Sequence, residues 1–343
     1  MIIRSFQQDD RIRWDEFVLQ SPTAALSHHI NWKSVIEDSF GHDTHYWLAE
    51  DGGGRVTGIL PLVHMKSCLF GNFMVSVPYL NAGGICAEDA DTHRALLDAA
   101  IDLARRKNVE HVELRYDHSA AVSLPSKTSK VAMRLDLPVS SDDLWQGFNG
   151  KLRSQIRRPM KDGMLARIGK MDELESFYSV FSHNMRDLGT PVYPKHFFMN
   201  ILKTFPETTW ICTVYHNDIP VASGLLAGFK HILEIPWASS LSRFRRSSPN
   251  MLLYWTCLKF ACEQGYRTFD FGRSTRDGGT YNFKEQWGAQ PIQLCWYYWL
   301  RESRPLPEIN PSNHKYKFSI RIWQRLPVRL TNLIGPMIVR NIP

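Results

Sequence analysis

The stretch Asp270-Phe-Gly-Arg-Ser-Thr-Arg-Asp-Gly-Gly-Thr-Tyr-Asn-Phe-Lys-Glu-Gln-Trp-Gly288 crowds polar and glycine residues behind a short hydrophobic strand. Strand ends in α/β sheets are where ligands usually sit. Within it, Lys284 stands between Phe283 and Trp287, a setting that orders a cation; the alternative is a solvated surface lysine. Arg273 and Tyr281 of the same stretch are candidate substrate contacts. Glu234, in Leu233-Glu-Ile-Pro-Trp237, is an acid inside an apolar strand. Such a setting perturbs a carboxylate and suits a base, although a satisfied structural glutamate reads equally well. Asp270 is the second candidate acceptor of a proton.

Two groups of cations call for an anion. Arg243, Arg245 and Arg246 precede Ser247-Ser248-Pro249-Asn250 at an expected helix start, where free amides, the helix dipole and guanidinium groups together make a phosphate seat. An ordinary capped helix with a solvated loop is the alternative. Lys151-Leu-Arg-Ser-Gln-Ile-Arg-Arg-Pro-Met-Lys161 aligns Arg153, Arg157 and Lys161 on one helical face, with Pro159 expected to bend or interrupt the helix. That face suits a diphosphate or a tRNA backbone, or else is a solvated surface.

Positioning these groups requires a sheet and its helices, and the chain reads as two copies of one unit. His45–Ala49 and Val56–His64 are strands around a turn at Asp51-Gly-Gly-Gly54. A helix over 92–107 follows, with Arg105, Arg106 and Lys107 at its carboxyl end, and then an alternating strand over 109–115. The second half repeats the order: strands at 210–215 and 219–229 around His216-Asn-Asp218, and a strand over 231–237. A helix from Pro249 to Gln264 closes at Gly265, and a strand follows over 266–271. At a constant offset of 157, Leu96 meets Leu253, Ala100 meets Cys257, Ala104 meets Ala261, Val112 meets Phe269 and Leu114 meets Phe271. The boundaries expected are 1–145, 146–302 and a Pro-rich connector with a basic hydrophobic tail at 303–343.

Composition narrows the function. The chain has 343 residues, 43% hydrophobic and 22% charged, which excludes wholesale disorder. No apolar run reaches the length of a membrane span and the start lacks a signal-peptide core, so the cytoplasm is the expected compartment. The net charge of +7 is concentrated after Ile309, where six basic residues and no acidic ones stand, so DNA binding is not expected. The tail is expected either to touch an anionic inner membrane peripherally through 315–340 or to fold back over the first domain. Cysteines 68, 86, 212, 257, 262 and 295 include no CxxC and read as free thiols. His111-Val-Glu113 opens like a zinc-deaminase signature without its PCxxC half, and no metal is assigned.

Several stretches resemble the FemAB family of peptidoglycan-bridge aminoacyltransferases, and especially its relatives associated with exosortase and PEP-CTERM systems. They are Ser27-His-His-Ile-Asn-Trp32, Pro78-Tyr-Leu-Asn-Ala-Gly-Gly84, Lys151–Arg158, Met185-Arg-Asp-Leu-Gly-Thr-Pro-Val-Tyr193, Glu234-Ile-Pro-Trp-Ala-Ser-Ser240, Pro249–Trp255 and Phe269–Trp287. The resemblance runs from about residue 10 to 300. It implies an α/β fold of two tandem GNAT-like (acyl-CoA N-acyltransferase) domains, mixed central sheets flanked by helices. It also implies acyl or aminoacyl transfer to an amine on a cell-envelope or exopolysaccharide precursor. Lys284 matches a residue that stabilises charge on the reacting carbonyl. Trp32, Arg153, Arg157 and Tyr193 match positions near the acceptor. No permanently bound cofactor is implied; the co-substrate is acyl-CoA or aminoacyl-tRNA. The GNAT pyrophosphate loop, Gln/Arg-x-x-Gly-x-Gly/Ala, is replaced here by Arg243-Phe-Arg-Arg-Ser-Ser-Pro249, which makes tRNA at least as fitting a donor carrier. A non-catalytic adaptor on the same fold, binding an envelope precursor or membrane partner, is the competing reading.

Overall fold

The computed structural model describes residues 1–67, 70–302, 304–307 and 314–343. Cys68 and most of the expected connector, residues 303 and 308–313, lie outside the described residues. The first half of the chain runs β1 (Ile2–Ser5), α1 (Arg11–Gln20), α2 (Asn31–Phe40), β2 (Asp43–Glu50), β3 (Val56–Ser67), β4 (Gly71–Val75), β5 (Cys86–Ala87), α3 (Ala90–Arg106), β6 (His111–Tyr116) and β7 (Ser126–Lys127). There follow β8 (Lys130–Asp136), α4 (Ser141–Gly147), α5 (Gly150–Lys161), β9 (Met164–Gly169), α6 (Leu174–Leu188), α7 (Lys195–Thr204), β10 (Thr209–His216), β11 (Ile219–Phe229), β12 (Ile232–Ser240), α8 (Pro249–Glu263) and β13 (Thr268–Thr275). The chain ends with α9 (Gly279–Glu285), β14 (Gln290–Gln293), β15 (Cys295–Leu300), α10 (His314–Trp323) and α11 (Val328–Val339).

These elements build two mixed sheets, in the orders β1-β2-β3-β4-β6-β15-β7, with β5 on β3, and β14-β8-β13-β12-β11-β10-β9. Each contains a parallel pair, β4 with β6 and β12 with β13, joined through a helix as parallel strands require. The local signals act as expected. The helix expected over 92–107 begins two residues earlier, at Ala90, because Asp89 caps it by accepting from Thr92 N at 2.8 Å. Asn217 and Asp218 both take positive φ, the backbone of a two-residue hairpin turn, between β10 and β11. Pro249 opens α8 and Gly265, at φ +78°, follows its end. The offset residues Leu96, Ala100, Val112 and Leu114 fill one core, and Leu253, Cys257, Phe269 and Phe271 fill the other.

Three expectations need correction. First, the compact units are not contiguous halves. Unit 1 holds Met1–Val131, the stretch from Ile292 through β15, and Arg340–Pro343; unit 2 holds Ala132–Pro291 and the last two helices to Val339. The hydrogen-bond ladder decides this, because β15 pairs along its whole length with β6, from Cys295 opposite Tyr116 to Leu300 opposite His111. Second, α5 runs unbroken through Pro159, which lies two residues before its end and costs only one backbone bond. Third, the described tail helices up to Val339 belong to the second unit, where α11 packs on α6. Gly335 lets α11 also approach the loop after α6, since a Cβ there would stand 2.9 Å from the backbone nitrogen of Val192. Only the last residues return to unit 1, where the Arg340 carbonyl accepts from Tyr79 Oη at 2.8 Å and from His42 Nε2 at 2.7 Å. Among the described residues, five cysteines (86, 212, 257, 262 and 295) are free and buried.

Candidate functional site

The two parallel pairs are alike in being short. In unit 2 the ladder joins Ile232 with Thr268, Leu233 with Phe269 and Glu234 with Asp270, and stops, although both strands continue. In unit 1 it joins Met74 with Val112 and Val75 with Glu113. Glu113 and Asp270 are 157 residues apart, so the repeat read from core residues also aligns the point where each pair parts. Past it, backbone carbonyls face an opening and need donors.

The units satisfy this need differently. In unit 1 the Arg115 carbonyl accepts from Gly83 N at 3.1 Å and Gly84 N at 2.8 Å. Arg115 in turn holds the 76–84 loop, its Nη1 donating to Leu80 O at 2.8 Å and its backbone N to Ser76 Oγ at 2.9 Å. Backbone thus fills the gap. The residue 157 positions after Arg115 is Gly272, and its carbonyl accepts instead from Lys284 Nζ at 2.9 Å, with Arg273 O taking a second bond at 2.9 Å. An ammonium has three donors, so one N–H remains beyond these two.

Lys284 is 7% exposed, carried by α9 on the same face as Tyr281, which is 9% exposed. Burial pushes its pKa down to about 8, against the pull of the Asp270 and Glu234 charges and with the added repulsion of Arg273. The difference from the ordinary 10.5 corresponds to about 3 kcal/mol, at roughly 1.4 kcal/mol per pH unit. The sign follows from proton counting: between pH 8 and 10.5 the unfolded chain binds more protons at this site than the folded one, so stability rises with pH there. Comparing urea unfolding of the parent and Lys284→Met across that window is expected to show the parent gaining on the variant by about 3 kcal/mol. A constant difference between the two would refute the burial of a charged ammonium.

Asp270 Oδ2 accepts from Arg134 Nε at 2.9 Å and Oδ1 from Gly272 N at 2.7 Å, so both of its oxygens are engaged. Sequence reasoning missed Arg134, which is remote in the chain. Glu234 is half-buried at the last paired position. Ser274 Oγ, next along β13 from the carbonyls that Lys284 holds, and Trp287 Nε1, three residues beyond Lys284, are buried and lack a hydrogen-bond partner among the described residues.

At the far end of β12, a cavity of about 640 Å³ is lined by Asn184, Asp187, Ser240, Ser242, Arg245, Ser248, Asn250 and Gln324, among others. The 3-10 turn Ser242–Ser247 directs Arg245 to this cavity. Arg243 and Arg246, the two guanidiniums expected to seat a phosphate, are exposed and do not line it, and Arg243 lies 5.2 Å from the Phe244 ring. Ser242 Oγ donates to Asp187 at 2.8 Å and Asn184 Nδ2 to Ser239 Oγ at 3.0 Å, which fixes the polar wall. Ser248, at φ +54°, precedes α8 without a side-chain cap on it. Met185–Tyr193 and Glu234–Ser240 carried the signal for this wall, but not for Gln324 of the tail.

The other expected contacts stand on other elements. Arg157 is exposed, 5.1 Å above the Trp145 ring, and Arg153 is half-buried on the same helix. Tyr193 is half-buried among Phe181, Phe197, Phe198 and Trp237, supporting β12 from behind. Trp32, expected beside the acceptor, is 1% exposed in the core of unit 1, on the face of α2 that also buries Val35, Ile36 and Phe40.

Residues 148–285 match the family model described as "Acetyltransferase (GNAT) domain". No curated protein matches the chain. Among solved structures, FemX is similar at 16% identity and a TM-score of 0.64, over 87% of this chain and 97% of that one. L-PGS from Bacillus licheniformis is similar at 13% identity and 0.57, over 98% and 99%. A tandem GNAT protein from the clavulanic acid biosynthesis pathway is similar at 12% and 0.55, over 89% and 99%. The chain therefore has the fold of two tandem GNAT-like units, of which the second carries the match to the acetyltransferase (GNAT) domain.

Proposed function

We propose that unit 2 is an N-acyltransferase that moves an acyl or aminoacyl group from a phosphate-bearing carrier, acyl-CoA or aminoacyl-tRNA, to an amine on a cell-envelope or exopolysaccharide precursor. The observation that carries this reading is the parting of β12 from β13 with a buried ammonium at the opening. The carrier's acyl carbonyl lies between the strands, and its phosphates extend toward Arg245. Attack by the amine forms the C–N bond and places negative charge on the carbonyl oxygen, which the third N–H of Lys284 meets. A preorganised donor of this kind is worth roughly 3–4 kcal/mol. Asp270, locked by Arg134, positions the turn at Gly272 and leaves proton transfer to Glu234. Glu234 takes the amine proton and returns it to the departing sulfur or oxygen as the C–S or C–O bond breaks.

Ser274 and Trp287 support a ligand here. A buried donor without a partner costs about 1–3 kcal/mol, which a bound carbonyl or amide recovers. Ser274→Ala is therefore expected to stabilise the protein by about 1 kcal/mol in denaturant unfolding while raising KM several-fold. Loss of stability would remove the hydroxyl from the binding site. The main test incubates the full chain with labelled acyl-CoA or labelled aminoacyl-tRNA and amine-bearing precursors. Transfer from one carrier is expected; precursor binding with no transfer from either would establish the adaptor reading instead.

A further inference from the structure

The packing of α11 is inverted relative to an ordinary surface helix. Thr331, Gly335 and Val339, spaced by four, form the buried face. The large apolar residues point the other way: Leu330 is 38% exposed, Leu333 71% and Met337 69%, at i, i+3 and i+7, with Ile322 of α10 47% exposed. A surface helix normally buries its large side chains and exposes polar ones. Arg321, Arg325, Arg329 and Arg340 are exposed along the same stretch, and no acidic residue follows Ile309.

We infer that the outward face of α11, with the arginines that flank it, is a docking surface for an anionic lipid bilayer. Charge complementarity selects this occupant, because exposed arginines with no carboxylate among them match a surface of phosphate headgroups. Length fixes the mode: at 12 residues α11 is too short to span, and among the described residues no helix is long and apolar enough to cross a membrane. The helix lies in the interface, Leu330 and Leu333 reaching the acyl boundary while the guanidinium groups stay at headgroup level. Its other face packs on α6, with Gly335 against Val192 of the loop that follows α6, so the surface is preformed. The inference stands independently of the transfer reaction.

The test is co-sedimentation of the full chain with vesicles of phosphatidylcholine alone and of phosphatidylcholine with phosphatidylglycerol. Binding is expected to be at least about tenfold tighter to the anionic vesicles and to weaken as salt is raised. Changing Arg321, Arg325 and Arg329 together to Gln is expected to weaken it roughly 100-fold. Leu333→Glu is expected to abolish it with the thermal unfolding midpoint unchanged, since the side chain is exposed. Equal binding to both vesicle types, no binding to either, or full binding by Leu333→Glu would overturn the inference. So would a dimer in analytical ultracentrifugation that Leu333→Glu dissolves, because the face would then belong to a second copy of this chain.

Discussion

Lys284→Met is expected to lower single-turnover transfer by roughly 10²–10³-fold while the protein remains folded, the loss seen when one oxyanion donor is removed. Two opposing terms keep the fold. The variant escapes the cost of a buried charge, about 3 kcal/mol for a pKa brought from 10.5 to about 8. It also leaves the Gly272 and Arg273 carbonyls without their donor, at about 1–3 kcal/mol each where water cannot reach. The second of these bonds is only partly buried, so the sum lies near zero. Lys284→Arg keeps the charge, but its planar fork cannot reproduce three tetrahedral donors in the same space, and recovery of less than about a tenth of the rate is expected. In the parent the rate falls as pH rises past about 8 and the ammonium is lost; in Lys284→Met that limb disappears. A methionine variant keeping half the parent rate would remove Lys284 from the reaction and leave it as a clasp on two carbonyls.

The second large effect is on stability, in the unit without the open pair. Glu113→Ala is expected to destabilise the protein by about 3–5 kcal/mol, because it strands a buried guanidinium. Arg115 is 2% exposed and Glu113 5%, and the Nε to Oε1 distance is 2.6 Å. Their spacing of two residues puts both on one face of β6. Arg115 also lies 4.2 Å above the Trp296 ring of β15. Replacing both partners with leucine is expected to restore part of the loss, since apolar substitution of a buried pair is often neutral but here leaves the Leu80 carbonyl without its donor. Urea denaturation of the parent and the two variants checks this; a single-variant loss below about 1 kcal/mol would mean that water reaches the pair.

Much of this was legible beforehand in particular residues. The β10–β11 hairpin followed from Asn217 and Asp218, and the limits of α8 from Pro249 and Gly265, since caps and turns are contacts between near neighbours in the chain. Lys284 was identifiable as an ordered cation because its aromatic neighbours lie within three residues of it. Arg134 was not, since its partner Asp270 lies 136 positions away. Nor could the spacing of Arg243, Arg245 and Arg246 tell which one lines the cavity, because that depends on the 3-10 turn that carries them.

The amino-acid order alone determined the duplication and the class of fold, since periodicity, breakers and a constant offset of 157 are properties of local backbone preference and repeat evenly along a chain. Tertiary structure alone decided three things. It returned β15 to the first sheet, filled one strand opening with the 76–84 loop while leaving the other to Lys284, and turned the small residues of α11 inward. Each is a competition between distant segments for the same hydrogen-bond donors or the same packing volume, and its outcome depends on which segment reaches the place when the whole chain is compact.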